Sequence, residues 1–158
     1  MQKSIFVLLL GFSTALALAA DTKLSYPTGF RDWNHVKSMV INQGHPLFEM
    51  VGGIHHIYAN QKALQGYRAG NKFADGSVIV FDLFTAVNAD NAISEGAHKA
   101  VIVMQRDSHK FASTGGWGYE VFDPNTKKGT LDAKAAQDCH ACHQAKKDSG
   151  FVFSTLRD

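Results

Sequence analysis

Five residues near the C-terminus constrain this chain more than any others: Cys139-His140-Ala141-Cys142-His143. Cys-x-x-Cys-His is the spacing of a c-type haem attachment site. Thiols three positions apart share one face of a helical turn, so both can reach the two vinyl groups of one porphyrin. The histidine that follows is placed to ligate the iron from the proximal side. This reading gives Cys139 and Cys142 to thioether bonds and His143 to the metal, with one covalently held haem c per chain. The competing readings of the motif are weaker. A redox-active disulfide is expected in a thioredoxin-like βαβ context, and a structural zinc needs a fourth ligand. His140 occupies a variable position between the cysteines and reads as a surface residue.

The other end of the chain says where such chemistry takes place. Lys3 precedes an apolar run from Ile5 to Leu18, and Ala17-Leu18-Ala19 supplies small residues at a cleavage site. The pattern predicts a secretory signal over residues 1–20, cut after Ala19 or Ala20, and a periplasmic mature protein. The run is too short and wrongly flanked for a stable membrane span, so no membrane association is expected once the leader is removed. Cleavage takes Lys3 and no acid, which leaves a near-neutral chain with no electrostatic footprint for nucleic acid. The remaining residues, 21–158, read as one haem-binding domain: 45% of the whole sequence is hydrophobic, and no linker or repeat divides it.

Periodicity predicts an α+β fold. Trp33, Val36 and Val40 recur at helical spacing, with Phe30 one turn earlier, so a helix is expected over 29–42. Strands are expected over 52–58, 77–87, 99–106 and 115–122. In the second of these, Ile79, Phe81 and Leu83 face one way while Val78, Val80 and Phe84 face the other, with Asp82 interrupting that second face. Residues 88–96 read as a polar connection. A last helix is expected from Thr130, as N-cap, to about Lys147, and it carries the cysteine motif. Short connections favour a predominantly antiparallel sheet between an N-terminal helix and the C-terminal haem-bearing helix.

The sixth coordination position separates an electron carrier from a binder of small molecules. Candidates for a distal ligand are His55, His56, His98, His109, Met50 and Met104, and none sits in a motif that marks it. Phe81, central on the strongest strand, reads either as a core aromatic or as an apolar roof over the open haem face. Such a roof offers no hydrogen bond, so it favours neutral diatomics such as NO and CO.

Three segments carry a family resemblance: the strand Gly76-Ser77-Val78-Ile79-Val80-Phe81-Asp82, the stretch Thr114-Gly115-Gly116-Trp117-Gly118-Tyr119-Glu120, and the C-terminal cysteine motif. Together with the leader they resemble the cytochrome P-460 and cytochrome c′-beta family. The resemblance implies a mostly antiparallel β fold, a homodimer and a five-coordinate c-type haem held by Cys139, Cys142 and His143. Hydroxylamine-oxidising members carry a strand lysine cross-linked to the porphyrin, expected close to Phe81. Residues 77–87 contain no lysine, and Lys72 is the nearest alternative donor. The sequence is similar to the cytochrome c′-beta branch, which implies an apolar distal pocket that binds NO and CO, for sequestration, detoxification or sensing. On this reading the chain is a gas-binding haem protein rather than an enzyme. The alternatives are a lysine-cross-linked hydroxylamine oxidase and a six-coordinate electron carrier. Besides the gases, the expected partners include a redox partner protein.

Overall fold

The computed structural model describes residues 23–157, so the leader read over residues 1–20 lies outside the described residues. Five strands form one sheet: β1 (Asn34–Ile41), β2 (Gly53–Ala59), β3 (Val78–Ala89), β4 (Ala92–Arg106) and β5 (Trp117–Phe122). They pair in the order of the chain, and every pair is antiparallel. Helices α1 (Phe48–Val51) and α2 (Gln61–Arg68) fill the connections flanking β2. Helix α3 (Ala133–His143) follows the sheet and runs into a 3-10 segment, Gln144–Ser149. The architecture is α+β, as the periodicity predicted.

The expected N-terminal helix over 29–42 does not form. A short 3-10 turn, Phe30–Asp32, leads into the edge strand β1. The helical spacing is spurious because its members do not share a face. Val36 belongs to one apolar cluster, while Phe30 and Trp33 pack in the other, across the sheet. A β-bulge between His35 and Lys37 shifts the alternation by one residue. That shift puts the buried positions Val36 and Ile41 five residues apart, a spacing that no simple alternation predicts.

Residues 88–96 are also not a loop. β3 and β4 continue into a hairpin that closes at Asp90-Asn91, both at positive φ (53° and 59°). Two consecutive left-handed residues are what a type I′ turn requires, and Asp and Asn are the side chains that tolerate them.

The sheet has two working faces. On one, Ile79, Met104, Trp117 and Tyr119 join Val36, Ala59, Ala63, Tyr67 and Val152 in a buried cluster, against which Cys139 and Leu131 pack. On the other, Val80, Val101, Val103 and Phe122 pack with Leu24, Phe30 and Phe111. Asp82 interrupts the second face without leaving an unpaired charge. Arg31 donates to both of its carboxylate oxygens, at 2.8 and 3.1 Å, and His98 Nε2 donates to Oδ1 at 2.7 Å.

Candidate functional site

Helix α3 delivers the cysteine motif to the first face. Its N-cap is Asp132, whose Oδ1 accepts from Ala135 N at 2.8 Å, and not Thr130 as predicted. Thr130 instead donates its hydroxyl to Val121 O, which ties the approach to the helix onto β5. Cys139 is half-buried and Cys142 exposed; both thiols are free. Burial, chiefly, raises the Cys139 thiol pKa.

His143 is held by the segment that follows. Its Nδ1 lies 2.6 Å from Phe151 O. A carbonyl only accepts, so Nδ1 carries the proton and Nε2 the lone pair, the tautomer that a metal ligand needs. The ring packs edge-on against Phe153 at 5.0 Å and tilted against Tyr119 at 5.2 Å. Burial lowers its pKa, which keeps the imidazole neutral, although the Phe151 bond opposes the shift. Among the described residues no three His, Cys, Asp or Glu side chains converge to hold a metal ion by themselves. The donor set present, two thiols one turn apart and one oriented imidazole, fits a haem better than a bare cation.

His140 departs from its expected surface position. It is 6% exposed and not a surface residue. Gln144 Nε2 donates to its Nε2 at 2.8 Å, and its Nδ1 faces the Tyr119 hydroxyl at 3.4 Å. Tyr119 therefore touches both motif histidines, a role the alternation of β5 placed on the correct face but did not single out.

The wall opposite α3 is read from strand register. Ile57, Phe81, Ile102 and Val121 form one row across four strands. All four are half-buried, whereas Ala59, Ile79, Met104 and Tyr119 in the next row are fully buried. An apolar row of this length left half-covered, on the face that carries Cys139, is a surface suited to a flat apolar group. Phe81 stands in that row. Its ring stacks on His55 of the neighbouring strand, with centroids 3.9 Å apart and planes within 17°.

The six distal candidates separate cleanly. His56 and His98 lie on the far face, where they bond Ser38 and Asp82. His109 is exposed in the loop after β4, and Met50 is 76% exposed. Only His55 and Met104 share the face of α3. Lys72 is exposed in the loop before β3 and lines a cavity of about 410 Å³ with Arg106, Trp117 and Phe151. That cavity adjoins Phe151, on the side that backs His143. Lys99, at a bulge of β4, donates its Nζ to Gly52 O at 2.6 Å.

A sequence model of one family, Cytochrome P460, matches residues 27–154. The chain belongs to the cytochrome P460 family. No curated protein matches it. Membership makes it a haem cytochrome. The geometry gives the glycine-rich stretch before the motif a scaffold role. Gly115 and Gly116 turn the chain at positive φ, a conformation that favours glycine. Trp117 is buried and donates Nε1 to Gly150 O at 3.0 Å, which anchors the segment that bonds His143. A Cβ at Gly118 would meet the Phe111 ring at 2.4 Å. Glu120, 4% exposed, accepts on one oxygen from the amides of Val121, Thr130 and Leu131 at 3.0, 3.1 and 2.9 Å. The cytochrome's described helices include none long and apolar enough to cross a membrane.

His55 gives a pH signature. It is 2% exposed, and burial, with a smaller contribution from His56, lowers its pKa from 6.5 to about 4. A lowered histidine pKa means that the unfolded chain takes up the proton first. Its contribution to stability is therefore complete above about pH 6.5 and is lost as pH falls towards 4, by on the order of 3 kcal/mol. Thermal unfolding of the wild type and of His55→Leu should diverge in slope across this window, with the variant less acid-sensitive. Parallel profiles would show that His55 is not buried as the neutral form.

Proposed function

We propose that this cytochrome binds NO and CO at a five-coordinate haem c, attached through Cys139 and Cys142 and ligated by His143, in the manner of the cytochrome c′-beta branch. The haem would supply an iron with one open position. The chain supplies the rest: two thiols for attachment, a proximal imidazole whose proton is fixed on Nδ1 by Phe151, and an apolar wall. The observation that carries the reading is the half-buried row Ile57, Phe81, Ile102 and Val121. It presents no hydrogen-bond donor or acceptor from its side chains. Such a wall discriminates little among neutral diatomics and gives no foothold to chemistry that moves a proton.

The lysine-cross-linked alternative draws less support. No lysine stands on β3 beside Phe81, Lys72 lies towards the segment behind His143, and the Lys99 amine is engaged by Gly52. The electron-carrier alternative needs His55 or Met104 as a sixth ligand. Phe81 lies against the first, and the second is packed in the core beside Tyr119.

Ferric and ferrous absorption spectra of the purified holoprotein test the proposal. The expected result is a high-spin, five-coordinate spectrum in both states, with stoichiometric CO and NO binding to the ferrous form and no hydroxylamine turnover. A low-spin six-coordinate spectrum, or a red-shifted cross-linked ferrous band, would overturn it. Export to the periplasm, dimer formation and any redox partner belong to the same proposal. Size-exclusion chromatography of the periplasmic fraction tests the first two.

A further inference from the structure

The distal wall has a second layer. His55 lies beneath Phe81: the phenylalanine is half-buried, the imidazole is 2% exposed, and the rings are in van der Waals contact. Register puts both on the face of α3, with His55 opposite Leu83 and Phe81 opposite Ile57. The imidazole is polar and costly where it stands. Its Nδ1 is enclosed and has no hydrogen-bond partner among the described residues. An unsatisfied buried polar atom normally destabilises the fold. A leucine at this position would avoid that penalty, as Leu83 does beside it. Depressed basicity also keeps the ring neutral near pH 7, so one nitrogen retains a free lone pair.

Building on the five-coordinate reading above, we infer that Phe81 is a screen that holds His55 off the iron, so that one phenyl ring sets the coordination number. The stacking geometry makes the screen thin. With centroids 3.9 Å apart, removing the phenyl leaves the imidazole a single ring thickness behind the surface that Phe81 presents. The space vacated is the space the imidazole would cross. Ile57 and Ile102, which flank Phe81, are not aromatic and do not cover His55 by stacking. Phe81 is therefore a specificity-determining residue of an unusual kind: it keeps the pocket apolar by covering a ligand the chain already carries. His55, in this account, is a latent axial ligand.

The test is Phe81→Ala beside the double variant Phe81→Ala/His55→Leu, both as holoprotein, with absorption and electron paramagnetic resonance as readouts. Phe81→Ala should convert the ferric spectrum from high-spin to low-spin six-coordinate, and the double variant should return it to high-spin. If His55 occupies the iron about 90% of the time, ferrous CO affinity in Phe81→Ala falls about tenfold relative to the double variant. Thermal unfolding shows whether each variant is folded, and Phe81→Val, which leaves a smaller cavity, gives the same comparison should the alanine variant not accumulate. The screen is overturned if Phe81→Ala stays high-spin, or if low-spin character survives in the double variant, which would implicate another ligand such as Met104. In both cases a five-coordinate, CO-binding wild type leaves the gas-binding reading standing. A wild type that is low-spin, and loses that state in His55→Leu, removes both.

Discussion

Replacing Cys139 and Cys142 together with alanine should yield a chain that carries no haem through denaturing electrophoresis, against stoichiometric haem staining of the wild type. The change is all or none, because thioether bonds survive denaturation and axial ligation by His143 does not. The single variants should differ from one another for a structural reason. Cys142 is exposed, and its side chain can be lost without disturbing packing. Cys139 packs against the cluster that includes Ile79, Met104 and Tyr119, so its loss removes a contact as well as a bond. Cys142→Ala should therefore keep near-normal thermal stability with one thioether, while Cys139→Ala should be the less stable of the two. Equal haem staining of the double variant and the wild type would refute the attachment assignment. Replacing His143 with glycine should leave the staining intact and change the spectrum, since the axial ligand is a main determinant of haem electronics.

Glu120→Ala should be strongly destabilising, by about 3 kcal/mol, because this buried carboxylate is the common acceptor of three backbone amides, of which Thr130 N also has Val121 O at 2.8 Å. Two of those amides, Thr130 and Leu131, begin the approach to α3. The loss should therefore show twice in urea unfolding and hydrogen exchange: as lower global stability, and as faster exchange over 129–132 than over β2 or β3. Glu120→Gln keeps a carbonyl oxygen in place and should fall between the two. If alanine at 120 changed stability by less than about 0.5 kcal/mol, as an ordinary surface substitution does, the carboxylate would not be the anchor described here.

The strands of the middle and the helix that carries the cysteines were legible in the sequence because their signals are local. Alternation placed Ile79, Phe81 and Leu83 together, and Trp117 with Tyr119, on the faces where the structure puts them. The cysteine motif marks the candidate site without any knowledge of the fold. What escaped was set by pairing. β1 read as a helix because a bulge displaced its alternation, and a bulge exists only in relation to the partner strand. Residues 88–96 read as polar connection because the distal half of that hairpin is solvent-exposed on both sides and lacks an apolar alternation. His140 and Glu120 are buried polar side chains whose partners, Tyr119 and the 130–131 amides, come from other parts of the chain. Their sequence neighbourhoods carry no sign of it. In the sequence His55 is one histidine among several; only its stacking on Phe81 and its lack of a partner for Nδ1 distinguish it.

Each strand of the sheet pairs with its neighbour in the chain. Pairing between chain neighbours keeps each closure within one connection, the tightest being the β3–β4 turn, and lower contact order favours faster assembly. The four strands that form the apolar row are complete by residue 122, some distance before the first cysteine at 139. During synthesis the row is thus specified ahead of the cysteine segment. α3 touches the sheet mainly through β5, the last strand to be added. The wall thus precedes α3 in the chain, and a porphyrin attached through Cys139 and Cys142, as proposed, would meet a surface whose strands had already been made.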